Sequence, residues 1–493
     1  WIMTISLALM LSLAIPMAGA VLIAFNGKRQ NIRESITLVT AVLLFIDVLW
    51  ILQPFLAGHE MALTLGQVMP GLNIALRIEP LGMMFALIAS GLWIVNSIYS
   101  IGYMRANNEQ NQTRFYVCFA IAIFSAIGIA FAANMFTLFI FYEVLTISTY
   151  PLVTHKGNDE ARRSGRIYLG LLIGTSIGLQ MTAIIWTWLA TGTLDFTKGG
   201  IINGHVSASV MPILLGLYMF GIGKAALMPF HRWLPAAMVA PTPVSALLHA
   251  VAVVKAGVFT VMKVAVYIFG IDTLSKTGAS QWLIWVAAFT LVTASVIALT
   301  KNNLKARLAY STISQLAYVT LGAAMATSMG VIGGSMHIAM HAMGKITLFF
   351  CAGAIYTAVH KTEISDMDGL GRIMPFTYGA FLIGALSIIG LPPMGGSWSK
   401  WYLMMGAADT DQYILIGILM LSSLLNVAYL LPIIGRGFFI SNKEFEAQGT
   451  GLGSIREAPL FCVIPPMLTA AGCLALFFYA DKLYRLLEPM VRP

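Results

Sequence analysis

The chain has 493 residues, of which 58% are hydrophobic and only 10% are Asp, Glu, Lys or Arg, against about 25% charged residues in a typical soluble domain. A water-soluble fold of this size would lack the charge to cover its surface, so the composition excludes soluble classes and points to a polytopic membrane protein. The 29 basic residues behind the formal net charge of +9 are scattered singly, not clustered with aromatics, which argues against a nucleic-acid surface and for loop charges that set membrane orientation.

At about 20 apolar residues per helix plus a connecting loop, the length holds about fourteen spans. Apolar runs lie at 3–25, 36–56, 80–102, 115–132, 134–153, 167–191, 209–230, 244–270, 282–300, 309–329, 331–357, 375–405, 412–440 and 459–480. No positive residue precedes the first run, whereas Lys28, Arg29 and Arg33 follow it, the reverse of a secretory signal, so it reads as a retained span. Assigning alternate loops to opposite sides collects seventeen Lys and Arg on one side and six on the other. That bias puts loops after odd-numbered spans in the cytoplasm and both termini outside, with the chain in a cell (inner or plasma) membrane. Cys118, Cys351, Cys462 and Cys473 lie in apolar stretches without CxxC spacing and read as buried hydrophobes, not as disulfide, iron–sulfur or c-type haem ligands.

The expected fold is therefore all-α and membrane-embedded, one polytopic domain over 1–493. Pro and Gly break the helical pattern twice: Pro229, Pro235, Pro241 and Pro243 near 229–243, and Gly390, Pro392, Pro393, Gly395 and Gly396 near 390–396. Paired interruptions in corresponding halves point to an inverted-repeat transporter with its site at the broken helices. The halves would be 115–270 and 282–440, with flanking helices in 1–102 and 459–480. Kinks made only for packing are the alternative; a membrane-embedded lysine beside each break favours the transporter.

An ionisable group at mid-depth costs about 2.5 to 3.5 kcal/mol on insertion scales, yet the spans carry Glu143, Lys224, Lys255, Lys345 and Lys400. One acid holds at most one of four lysines, and desolvation with mutual repulsion disfavours the ammonium form of the rest, as a proton relay requires. His337, His341 and Lys345 recur at i, i+4 and i+8, which stacks them on one helix face, and His249 precedes Lys255 by about a turn and a half. The bland readings are a hydrogen-bonded core histidine and, for Lys345 and Lys400, an ammonium that snorkels to an interface. Asp47 has no basic companion nearby and stays outside the site. No acid or cysteine joins the histidine pair on its helix, HExxH is absent, and only His249 and His231 could face it as a second haem ligand, so neither a metal nor another cofactor is expected.

These residues carry a family resemblance. FYEVLTISTYPL, KAALMPFHRWLPAAMVAPTPVSALLHAVAVVKAGVF, ARLAYSTISQLAYV, MHIAMHAMGKITLFFCAGAI and GLPPMGGSWSKW resemble the antiporter-like subunits shared by complex I, membrane-bound hydrogenases and Mrp-type cation/proton antiporters, over about residues 75 to 435. The chain's size is most similar to the D-type subunit of Mrp antiporters and to the fourteen-helix complex I subunits. The resemblance implies that Glu143 is the fifth-helix glutamate paired with Lys224 of the seventh, that Lys255 is the central lysine of a broken eighth helix, and that His337, His341 and Lys345 form the polar stripe of the eleventh. Lys400 matches the ionisable residue of the broken twelfth, and His249 stands where the family places a bridging polar group or water. The GGSW before Lys400 replaces a bulkier Gly-Phe, a difference in local packing.

The expected function is proton translocation in an Mrp-type Na⁺ (or K⁺)/H⁺ antiporter, with other membrane subunits, including homologous antiporter-like ones, as partners. Glu143 and Lys224 would open and close as an ion pair, passing a proton through His249 or water to Lys255, then over His341, His337 and Lys345 to Lys400. The rivals are a proton-pumping subunit of an NADH:quinone oxidoreductase or hydrogenase, whose redox centres lie on other chains, and the membrane subunit of an inorganic-carbon uptake complex. A scaffold without transport of its own would leave the embedded lysines dispensable.

Overall fold

The computed structural model describes residues 2–446 and 454–493; the loop between the expected runs at 412–440 and 459–480 lies partly outside them. Helices α1 (Ile2–Phe25) and α2 (Gln30–Leu56) lead into strands β1 (Ala62–Met69) and β2 (Leu72–Arg77), followed by α3 (Pro80–Ala106), α4 (Gln112–Phe131) and α5 (Met135–Val153). Next come α6 (Asp159–Thr191), α7 (Met211–Gly221), α8 (Thr242–Phe269), α9 (Gln281–Thr300), α10 (Leu304–Ala324) and α11 (Ser328–Val359). The series ends with α12 (Pro375–Ile389), α13 (Gly396–Asp409), α14 (Ile414–Phe439) and α15 (Leu460–Phe478). Among the described residues eleven helices are long and apolar enough to cross a membrane, and α7 and α12 are shorter apolar helices. Every expected apolar run falls on helix, but the run at 209–230 leaves helix after Gly221 and the run at 375–405 is two helices, α12 and α13.

Several basic residues assigned to loops sit inside helix ends. Arg33 lies within α2, where it donates to Gln112 Oε1 (3.0 Å) and Thr113 Oγ1 (3.0 Å). Arg105 at the end of α3 pairs with the buried Glu34. Asn158 and Asn303 cap α6 and α10 by accepting from Ala161 N (2.8 Å) and Ala306 N (3.0 Å), so these helices start before their apolar runs.

An addition to the expected all-α fold is the antiparallel hairpin of β1 and β2. Its strands alternate apolar and polar residues only in part, and their turn is Pro70–Gly71 with Gly71 at φ +83°, the residue order of a type II turn. Asn134 Nδ2 donates to Asn73 O (2.7 Å) and Ala75 N to Thr137 Oγ1 (3.1 Å), which fastens the hairpin to the start of α5.

The core runs along α8 and α11. Every residue of α8 is buried, as is nearly all of α11, whereas α1, α2, α14 and α15 turn Leu7, Val39, Ile46, Leu424 and Leu460 outward. The breaks expected near 229–243 and 390–396 are present as irregular backbone: turns and short helical pieces join α7 to α8, and Gly390 (φ +92°) ends α12. α8 is itself interrupted at Ala252 (φ −130°, ψ −66°), between a π turn at Leu247–Val251 and the helical segment Val253–Lys263. A second π turn follows at Val264–Phe269.

Candidate functional site

Lys224 lies in a 3₁₀ turn, Gly223–Ala225, just beyond α7. This turn presses against α8 because Gly257 there has no side chain; a Cβ on Gly257 would stand 2.3 Å from the Lys224 carbonyl carbon. The Lys224 ammonium donates to the Tyr142 carbonyl (3.0 Å) and to the Thr146 hydroxyl, and sits 3.4 Å from the centroid of the Tyr142 ring. Glu143, on the same helix α5, is half-buried; its Oε1 is inaccessible and makes no hydrogen bond. No ion pair within 4.0 Å joins Glu143 to Lys224 among the described residues, although Glu143 is the charged group acting on that lysine. The pair, expected to alternate between closed and open, is open here, and one carbonyl, one hydroxyl and one aromatic face hold the ammonium.

His249 is in the first π turn of α8, fully buried, its ring 4.5 Å from that of Phe349 and both ring nitrogens without a partner. The charged groups around it are Lys345, Lys305 and Lys255. Lys255, one turn into the helical segment, contacts His341 Nδ1 through its ammonium. The His341 and His337 rings stack at 5.9 Å along α11. His337 in turn places Nε2 2.9 Å from Gln315 Oε1 and Nδ1 2.9 Å from Ser399 Oγ.

Ser399 precedes Lys400 on α13. Lys400 folds back over the end of α12, where a Cβ on Gly390 would meet its Cδ at 2.7 Å. Its ammonium donates to the Ile389 carbonyl (2.9 Å) and to Ser423 Oγ (3.1 Å), and lies 5.0 Å from the Tyr318 ring. The carbonyl end of α12 therefore supplies the negative pole for a lysine that no carboxylate partners. Lys345 donates to Ser311 Oγ (2.7 Å), which also accepts from Tyr429 OH (2.9 Å). Lys345 and Lys400 are both buried, so neither snorkels.

The structure thus brings Lys255, His341, His337 and Lys400 into one polar file across α8, α11 and α13, with Lys345 on a branch toward α14. Glu143 and Lys224 form a separate group at α5, and His249 lies near Lys345, Lys305 and Lys255. Sequence reading missed the neutral members: Tyr142, Thr146, Ser311, Gln315, Tyr318, Ser399 and Ser423. Ser311, Gln315 and Tyr318 recur at helical spacing on α10, a polar stripe in an apolar run that could have signalled them. A buried ion pair between Lys263 of α8 and Glu79, just before α3, was also missed.

Fold and site together define a class: a multi-pass helical membrane protein whose interior holds a file of lysines and histidines beside broken helices. Residues 132–426 match the family described as NADH:quinone oxidoreductase/Mrp antiporter, TM, and residues 69–116 match NADH-ubiquinone oxidoreductase (complex I), chain 5 N-terminus. The chain belongs to this NADH:quinone oxidoreductase/Mrp antiporter membrane family. It is 28% identical over 84% of its length to NADH-quinone oxidoreductase subunit N of Desulforudis audaxviator, covering 84% of that protein. It is 27% identical over 97% of its length to a Na(+)/H(+) antiporter subunit of Alkalihalophilus pseudofirmus, but spans only 62% of that longer chain. A chain of the Mrp complex from Dietzia sp. DQ12-45-1b shares the fold, with a TM-score of 0.85 at 19% identity and coverage of 98% of this chain and 96% of that one. These two relatives are subunits, and the structural neighbour is a chain of a complex.

Proposed function

We propose that the chain is the proton-translocating subunit of an Mrp-type Na⁺ (or K⁺)/H⁺ antiporter, most like the D-type subunit, in which neighbouring subunits help to form the cation path. The observation that carries this reading is the polar file itself: Lys255 touches His341, His341 stacks on His337, and His337 bonds Ser399 beside Lys400. Each member holds or passes a proton, and the surrounding helices exclude water. Lys224, with Glu143 drawn away, is loosely held by neutral groups. A shift of α5 that closes the pair stabilises its ammonium, and opening the pair sends the proton toward Lys255 by way of His249 or water. His249, with two free ring nitrogens, suits that handover, and Lys400 is the terminal group. Everted membrane vesicles test the scheme: Glu143→Ala and Lys224→Ala should each abolish cation-driven proton exchange while the complex still assembles. Exchange at the wild-type rate in either variant contradicts it.

A second reading, a proton-pumping subunit of an NADH:quinone oxidoreductase or membrane hydrogenase, is favoured by the even 84% coverage of both chains in the match to the Desulforudis audaxviator oxidoreductase subunit. The relay would be the same; the driving reaction would lie on other chains.

A further inference from the structure

The relay described above leaves two buried charges unused. Lys263 follows Lys255 by eight residues on α8, which places it on the same face about 12 Å further along the axis. It is fully buried, and its ammonium pairs with Glu79, itself buried. Glu79 also accepts from Arg77 at 2.7 Å, and the Arg77 side chain is 32% exposed. The rings of Tyr267, Phe196 and Phe259 surround the Lys263 ammonium at 4.5, 4.8 and 5.7 Å. The rings thus cover the ammonium on those sides, and on the far side of Glu79 the partly exposed Arg77 reaches toward water.

Two further observations give this pair an outlet's surroundings. The π turn Val264–Phe269 begins at the next residue, so the segment Val253–Lys263, with Lys255 near one end and Lys263 at the other, lies between two joints of irregular backbone. Such π segments concentrate at functional sites. A cavity of about 480 Å³, lined by Lys198, Val266, Asp272, Ser328 and Arg492, opens at the same end of α8, and Val266 lies three residues past Lys263.

We propose that Glu79 and Lys263 form a proton outlet on α8, separate from Lys400, that delivers protons from Lys255 to water at the end of the bundle where α3 begins. Lys263 gives one proton to the Glu79 carboxylate, leaving an amine and a carboxylic acid. The acid releases that proton to water beside Arg77 and becomes a carboxylate again, while the amine takes a replacement from Lys255 through water along the roughly two helical turns between them. One proton leaves for each one that arrives. Arg77 stays charged throughout, since a guanidinium does not give up its proton, and serves to draw Glu79 back to the carboxylate.

The outlet rests on the relay reading of the previous subsection. The rival role is a clip that joins the hairpin to α8. Lys263→Arg separates the two, because arginine keeps the ion pair but passes no proton. In the whole complex in everted vesicles, the outlet predicts that Lys263→Arg assembles, judged by co-purification, and loses transport by about tenfold or more. Assembly with wild-type transport overturns it. Where the larger guanidinium disturbs packing, the double variant Glu79→Gln/Lys263→Met decides, since removing both charges leaves none orphaned. A clip so repaired transports normally, which also overturns the outlet; an outlet stays closed. Glu143→Ala is run alongside. Loss there with full activity in the Lys263 variants removes the outlet alone, whereas wild-type activity there removes the relay itself.

Discussion

His337 shows how a buried histidine is tuned by neutral neighbours. Its two nitrogens are engaged by Gln315 and Ser399, each at 2.9 Å, which sets the ring's orientation between His341 and Lys400. Gln315→Leu removes one hydrogen bond, worth about 1 kcal/mol, so transport should fall roughly five- to tenfold without being lost; vesicle assays of initial rate measure this. Outside the membrane spans, His155 packs edge-on against Phe115, with Nε2 3.7 Å from a Glu109 oxygen. Burial, aided by the nearby Arg114 charge, pushes the His155 imidazole down to about 4 from its ordinary 6.5, and burial raises Glu109. The unfolded chain then binds the His155 proton first. Stability from this group is full above pH 6.5 and is lost as pH falls toward about 4. Thermal denaturation at pH 7.5 and 5 should therefore show a larger loss for wild type than for His155→Gln. All eight ionisable members of the candidate site were legible in the sequence, because a charge in an apolar run stands out by its cost. Most of their partners were not: Tyr142, Thr146, Ser399 and Ser423 are ordinary residues in such helices, and only the packing of α5, α13 and α14 gives them a role.

Among the elements, small residues decide how closely the broken segments approach. Gly257 lets the turn bearing Lys224 rest on α8, and Gly396 lets α13 start against α12, since a Cβ there would be 1.9 Å from Ser387 O. Gly257→Ala should cost about 1 to 3 kcal/mol through overpacking, read as a lower Tm of the purified protein, while Gly417→Ala, with nothing within 4 Å of its Cβ, should leave Tm unchanged. The two breaks were legible from clustered Pro and Gly, whereas the interruption of α8 at Ala252 was implied only by the family resemblance, because no Pro or Gly marks it; a shift from α to π hydrogen bonding does, with Ala252 N bonding Leu247 O at 3.1 Å. The hairpin was missed for a related reason. Residues 62–77 alternate too weakly to announce strands, and tertiary bonds from Asn134 and Thr137 hold them.

Across the whole molecule, scarcity of charge identifies lipid as the solvent, and the buried exceptions cluster along α8 and α11 at the centre. The outward apolar faces of α1, α2, α14 and α15 meet lipid or neighbouring subunits, and which neighbours they are separates the two functional readings. Purification of the intact complex should recover several small membrane subunits and no flavin or iron–sulfur protein if the chain serves an antiporter; recovery of the latter proteins assigns it to the redox assembly. Both readings require that protons cross through the lysine file, and Lys255 is where the file from α11 joins α8. The direct measurement is proton transport by the Lys255→Met complex in everted vesicles, followed with a pH-sensitive dye. The account predicts an assembled complex that moves no protons; transport at the wild-type rate would contradict it.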